Sequence, residues 1–220
     1  MNASLISIII LSLVHIGLGL FKNFSPPKLL SFGSGVAIAY VFVDLLPKLC
    51  TSDQLVRQSG FLPFFEKHVY ILALAGFLFF YFVEKKKLET FSVLSYLLFN
   101  YLIGYSIGDI NDQDVRPLAL FTFAIGLHYF TTDYAMREKN PQEYHQLIRW
   151  LCVIALFVGW ATNFWFQLPK TAVALIAAYI AGGVILNVTR HELPEDRPND
   201  VTSFIVGAVV YTVLIMRLFV

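Results

Sequence analysis

Residues 171–190 read TAVALIAAYIAGGVILNVTR, with no charge before Arg190 and no proline to break a helix. A hydrocarbon core about 30 Å thick needs about 20 apolar residues in helix, and lipid offers backbone amides no other hydrogen-bond partner. Seven further stretches of this kind lie near 3–21, 29–49, 67–84, 90–108, 117–136, 146–166 and 201–219, separated by short polar interruptions. The pattern predicts an all-α, multi-pass membrane protein whose eight transmembrane helices fill residues 1–220 as a single domain.

Composition supports that class. A hydrophobic fraction of 57%, a charged fraction of 14% and a mean hydropathy of +0.67 leave too few polar groups to cover a soluble surface. The longest expected loop, from about Leu49 to Glu66, is too short for an extramembrane domain, so function is expected between the helices. A net charge of +1, with no basic run interleaved with aromatics, points away from nucleic acid. The lipid bilayer is the expected partner, with a homo-oligomer as a further option. The first stretch has the length of a signal peptide but lacks a basic n-region, and its first positive charge, Lys22, follows the apolar run. It is therefore expected to stay as a helix with its N-terminus outside.

Cytoplasmic loops retain Lys and Arg. With that orientation the inner loops hold ten of these residues, Lys85, Lys86, Lys87 and Arg137 among them, and the outer loops and C-terminus hold six. Both termini are then outside. Cys50 is expected near the outer face and Cys152 near the inner one, too far apart for a disulfide.

An internal echo runs from Gly35 to Lys48, GVAIAYVFVDLLPK, and from Gly182 to Glu195, GGVILNVTRHELPE, 147 residues apart. Gly35/Gly182, Ile38/Ile185, Val41/Val188, Leu46/Leu193 and Pro47/Pro194 coincide. The second and seventh helices would cross in opposite directions, as inverted repeats do in transporters. Chance matching of apolar helices that end in Leu-Pro is the alternative.

Ionisable groups inside a bilayer are costly and face the bundle interior or water. His128 lies about eleven residues into the fifth helix, roughly 16 Å along it and close to the midplane. Thr132 follows one turn on, and Tyr129 is followed by Asp133 on the adjacent row, so two polar columns run side by side. The fourth helix offers Asn100, Tyr101, Tyr105 and Ser106, with Gly104 and Gly108 permitting close approach. Asn163 and Asn187 add amides. Such side chains also bond neighbouring backbone, which is the alternative to a solute path. Asp44, His191, Glu192, Glu195 and Asp196 are expected to be solvated at the interfaces, and His15 to be a satisfied structural histidine. Zinc wants three or four His, Cys, Asp or Glu ligands; an oxygen-rich site from Asn100, Thr132 and Asp133 suits a harder ion.

Taken together these segments resemble the ZIP (Zrt/Irt-like) metal transporters over almost the whole chain. Phe42-Val43-Asp44-Leu45-Leu46-Pro47-Lys48 is similar to the family's F-V-H-L-L-P-E, Gly76-Phe77 closing at Glu84 resembles its G-F-then-Glu segment, and Gly182-Gly183 to Leu193-Pro194-Glu195 its seventh-helix stretch. The resemblance implies eight helices with extracellular termini, an inverted relation between the first and last three, and a metal path along the fourth and fifth. Where the family reads H-N-x-x-D/E-G-x-A-x-G, this chain has Phe99-Asn100-Tyr101-Leu102-Ile103-Gly104-Tyr105-Ser106-Ile107-Gly108; where it reads H-E-x-P-H/E-E, this chain has His128-Tyr129-Phe130-Thr131-Thr132-Asp133. The carry-over gives His128, Asn100 and Asp133 as metal ligands, and Thr132, Tyr129, Tyr101 and Tyr105 as further path residues. Phe99, Ile103, Tyr129 and Thr132 replace ligands, removing the charge that offsets stripping water from a divalent ion. The usual binuclear zinc or iron site is thus depleted. No cofactor is implied, and a divalent metal ion enters only as transported solute.

Transport of a divalent or more loosely held solute is the leading expectation. A non-transporting regulatory or scaffold protein of the same fold is the second. An intramembrane enzyme is the weakest: His128 and Asp133 form an H-x4-D string, but five helical residues set them about 140° apart, so the chain is not expected to be an enzyme.

Overall fold

A computed structural model describes residues 3–20, 27–60, 67–86, 89–109, 115–191 and 200–219. They form α1 (Ala3–Leu20), α2 (Pro27–Gln58), α3 (His68–Lys85), α4 (Glu89–Asp109), α5 (Val115–Lys139), α6 (Pro141–Trp165), α7 (Lys170–His191) and α8 (Val201–Phe219), with no strand among the described residues. Lys22, Glu66, Lys87, Glu192, Glu195, Asp196 and Arg197, which the orientation and interface readings use, lie outside them.

Five helices, α2, α3, α4, α6 and α7, are long and apolar enough to cross a membrane, and α1 and α8 carry the shorter apolar segments Ala3–Gly17 and Val201–Arg217. Leu13, Leu74, Phe82 and Trp165 each expose more than half of their surface. An apolar exterior of this extent is compatible with a multi-pass membrane protein. α5 is in neither apolar set because it carries Thr122, His128, Thr131, Asp133 and Arg137, all of them buried. The most polar helix packs inside the bundle, mainly on α1 and α2.

One boundary differs from the sequence expectation. The second helix was expected to stop near Leu49, just past Leu-Pro; instead α2 continues to Gln58 and shortens the following loop. Proline lacks an N–H and crowds the preceding turn. Here residues 41–45 form a π-helical turn, with the Leu46 N–H donating to the Val41 carbonyl, and the helix passes Pro47 unbroken. The added turns bury Leu49 and Val56 against Val69, Ala73, Ala178 and Ala181. Asp44 therefore sits within a helix, where the Lys48 ammonium donates to it at 2.6 Å. Cys50 is exposed and Cys152 buried, and neither is bridged.

The helices associate chiefly as α1 with α5, α2 with α8, α3 with α7 and α4 with α6. Each pair is parallel where successive contacts can be followed: Ser31 meets Asp200, Gly35 meets Phe204 and Tyr40 meets Tyr211. α1 and α6 are antiparallel, since Ser4 meets Trp160 and His15 meets Tyr144. Asp200 caps α8, accepting from the Ser203 hydroxyl at 2.9 Å and the Thr202 amide at 3.1 Å, and these donors hold its carboxyl below the usual range.

Glycines set the closest approaches. A Cβ on Gly35 would overlap the Phe204 carbonyl of α8, and one on Gly207 the Phe32 carbonyl of α2. A Cβ on Gly182 would overlap the Ala73 carbonyl of α3, and one on Gly76 the Tyr179 carbonyl of α7. Phe32 and Gly35 each stand 147 residues before Tyr179 and Gly182, while Ala73 and Gly76 each stand 131 before Phe204 and Gly207. One reciprocal contact thus occurs twice, with α2 exchanged for α7 and α8 for α3.

Candidate functional site

The two polar columns of α5 face different surroundings. Tyr129 and Asp133 point into a closed network built on His15, a residue from α1. His15 Nδ1 lies 2.6 Å from Asp133 Oδ2 and Nε2 lies 2.9 Å from Asn100 Oδ1, with all three side chains fully buried. The Asn100 amide donates to the Tyr96 carbonyl at 2.9 Å, which fixes its Oδ1 toward the imidazole, so Nε2 carries a proton. The other carboxylate oxygen of Asp133 accepts from the Tyr96 hydroxyl at 2.9 Å. The π-helical turn at residues 144–148 opens α6 and brings the Tyr144 hydroxyl to the His15 carbonyl at 3.3 Å. The Tyr129 ring lies against the imidazole, centroids 4.4 Å apart, and its buried hydroxyl has no hydrogen-bond partner among the described residues.

His128 and Thr132 face a cavity of about 140 Å³ between α3, α4, α5 and α7. Each helix supplies one stripe at helical spacing. α3 gives Phe80 and Glu84, one turn apart; α4 gives Ser92, Ser95, Tyr96 and Phe99; α5 gives His128, Thr132 and Met136; α7 gives Ile180, Gly183 and Asn187. The Asn187 amide donates to the Thr132 hydroxyl at 3.1 Å, tying α7 to α5 across the polar wall. Gly183 leaves room for Phe80, whose ring would meet a Cβ at 2.7 Å. His128 is 5% exposed and stands edge-on to Phe99, centroids 5.6 Å apart. Thr132, Asn187 and Glu84 are progressively nearer the end where α3 gives way to α4, the end that carries Lys85 and Lys86.

The structure thus divides the residues singled out in the sequence. His128 and Thr132 line the cavity, whereas Asn100 and Asp133 are engaged with His15, and Tyr96, Phe99 and Tyr129 stack between the two groups. The expected ligands His128, Asn100 and Asp133 do not share one space, and no three His, Cys, Asp or Glu side chains converge among the described residues. Tyr105 lies elsewhere: its hydroxyl donates to the Phe166 carbonyl at 3.0 Å and accepts from the Leu168 amide at 2.8 Å, pinning the α6–α7 connection. Tyr101 is not among the residues lining the cavity, and its backbone carbonyl is the atom that a Cβ on Gly159 would strike.

Sequence reading did not assign Tyr96, Ser92, Ser95 or Tyr144 to the site. Tyr96 had a signal, since it stands four residues before Asn100 on the same face of α4. Fold and site together define an all-α bundle whose membrane-length apolar helices enclose a cavity lined by both apolar and polar side chains. No family model matches the chain, and no curated protein or solved structure is significantly similar to it.

Proposed function

We propose that this chain is a divergent transporter of ZIP-like, inverted-repeat architecture that moves a cation through a site poor in negative charge, with eight crossings and both termini outside. The cavity that reaches His128 carries the reading, because a route for water is a precondition for a route for ions. The duplicated glycine contact supports the architecture: two helix pairs related by exchange of α2 with α7 are what an inverted repeat produces. In the family it resembles the cargo is a divalent metal ion such as zinc; here Glu84 is the single carboxylate lining the cavity among the described residues. The closed network behind the cavity would act as the barrier on the far side.

The test is flux of labelled divalent and monovalent cations into vesicles reconstituted with the full chain. Replacing His128 with alanine or Thr132 with valine is expected to cut the rate at least about tenfold, the loss of one well-placed polar contact. Wild-type flux in a His128→Ala/Thr132→Val double variant would refute the site. A second reading, a non-transporting scaffold or regulator, is favoured by the full burial of His15, Asn100 and Asp133. It predicts no flux above empty vesicles for any cation.

A further inference from the structure

The duplicated glycine contact gives each position of one helix pair an equivalent in the other, and the two pairs meet α5 differently. Asn187, five residues past Gly182, and Phe80, four past Gly76, line the cavity, as does Gly183. The equivalent positions, five residues past Gly35 and four past Gly207, are Tyr40 and Tyr211, and Val36 answers to Gly183. Tyr40 and Tyr211 are buried, at 7% and 1% exposure, and their rings meet edge to face with centroids 6.3 Å apart. Gly33, two turns before Tyr40 on the same face of α2, lies so near α5 that a Cβ there would stand 3.2 Å from the Thr131 methyl. Thr131 and Thr132 adjoin in sequence, yet the first is pressed against the α2–α8 pair and the second borders a cavity of about 140 Å³ beside the α3–α7 pair.

Two pairs equivalent by position but unequal in packing are what rocking of one repeat against the other produces. Exchanging the two arrangements moves the space to the other pair and toward the other end of the bundle. From the shared glycine contact, Asn187 lies toward the end that carries Lys85. Tyr40 lies toward Leu49, which packs with Val69 and Ala73 near the start of α3. We propose, on the reading that the chain is a transporter, that Tyr40 and Tyr211 are the closed gate of a second access route, between α2, α8 and α5. In the second state the α2–α8 pair parts from α5, the two rings separate, and the α3–α7 pair closes on Thr132. In the present state the rings shut the solute off from the end where α3 begins.

The test uses the full chain with Cys50→Ser and Cys152→Ala in sealed vesicles. In Tyr40→Cys/Tyr211→Cys, a short, neutral, bifunctional thiosulfonate bridges the two positions, and a reductant cleaves the bridge. Bridging holds one of two states, so it is expected to cut cation flux at least about tenfold, and cleavage to restore it. Flux unchanged by complete bridging overturns the gate and leaves the transport reading in place. Val36→Cys gives a readout without flux and keeps both rings. Val36 is 0% exposed, so a charged, membrane-impermeant thiol reagent reaches it only when the gate opens. Labelling from the face opposite Lys85, and not from the Lys85 face, is the expected result. Labelling from the Lys85 face, or from neither face in a protein that carries cations, overturns the gate. If no cation crosses the vesicles and Val36→Cys is labelled from neither face, the gate and the transport reading fall together.

Discussion

Replacing His15 with alanine is expected to destabilise the folded chain by about 3–5 kcal/mol, the range for removing one partner of a buried ion pair. The substitution leaves the Asp133 carboxylate at zero exposure without its imidazole, facing only neutral hydroxyls such as that of Tyr96, and it takes the ring N–H away from Asn100 Oδ1 as well. Asp133→Asn is expected to cost less, because an amide needs no counter-charge and can still accept from Tyr96. The double variant His15→Ala/Asp133→Ala should be clearly less damaged than the sum of its singles, since neither group is then left buried without the other. Melting temperature in detergent checks all three, and additive losses would show that the two side chains act independently.

The second large effect is steric. Gly35→Ala and Gly182→Ala each place a Cβ on a carbonyl of the facing helix, and backbone cannot swing aside as a side chain can. Each is expected to destabilise by about 3 kcal/mol, the upper end for overpacking. Because the two contacts are equivalent by position, their losses should agree closely. Gly17→Ala is the control: nothing lies within 4 Å of its Cβ, and alanine is the better helix former by about 1 kcal/mol, so stability should hold or rise. Equal behaviour of Gly17→Ala and Gly35→Ala would remove the close approach from the account.

What could be read from residue order follows from the range over which each signal acts. Apolar run length is local, so the helices appear near their expected places, Lys170–His191 against 171–190 for the clearest of them. The end of α2 was misread because Leu-Pro signals a stop, and nothing local announces the π-helical turn that absorbs Pro47. Within α5, spacing alone separated His128 and Thr132 from Tyr129 and Asp133, and the two columns do meet different environments. Their partners were not legible. His15 lies 118 residues from Asp133, and pairing over that distance is decided by which helices pack together, here α1 with α5. The expectation that His15 would be satisfied recognised that a buried imidazole needs partners, but it could not say that they would be the very Asn100 and Asp133 assigned to the ion path. The same limit hid the cavity, whose four stripes come from four helices and are each unremarkable alone.

The account turns on a cavity that His128 and Thr132 line and Asp133 does not. Single cysteines at Thr132 and Asp133, in a chain with Cys50 and Cys152 replaced by serine and alanine, test it most directly when treated in sealed vesicles with a charged, membrane-impermeant thiol reagent. Labelling of Thr132→Cys from the Lys85 face only, with Asp133→Cys protected from both faces, is the predicted result. Equal protection of the two positions, or equal labelling, would contradict it.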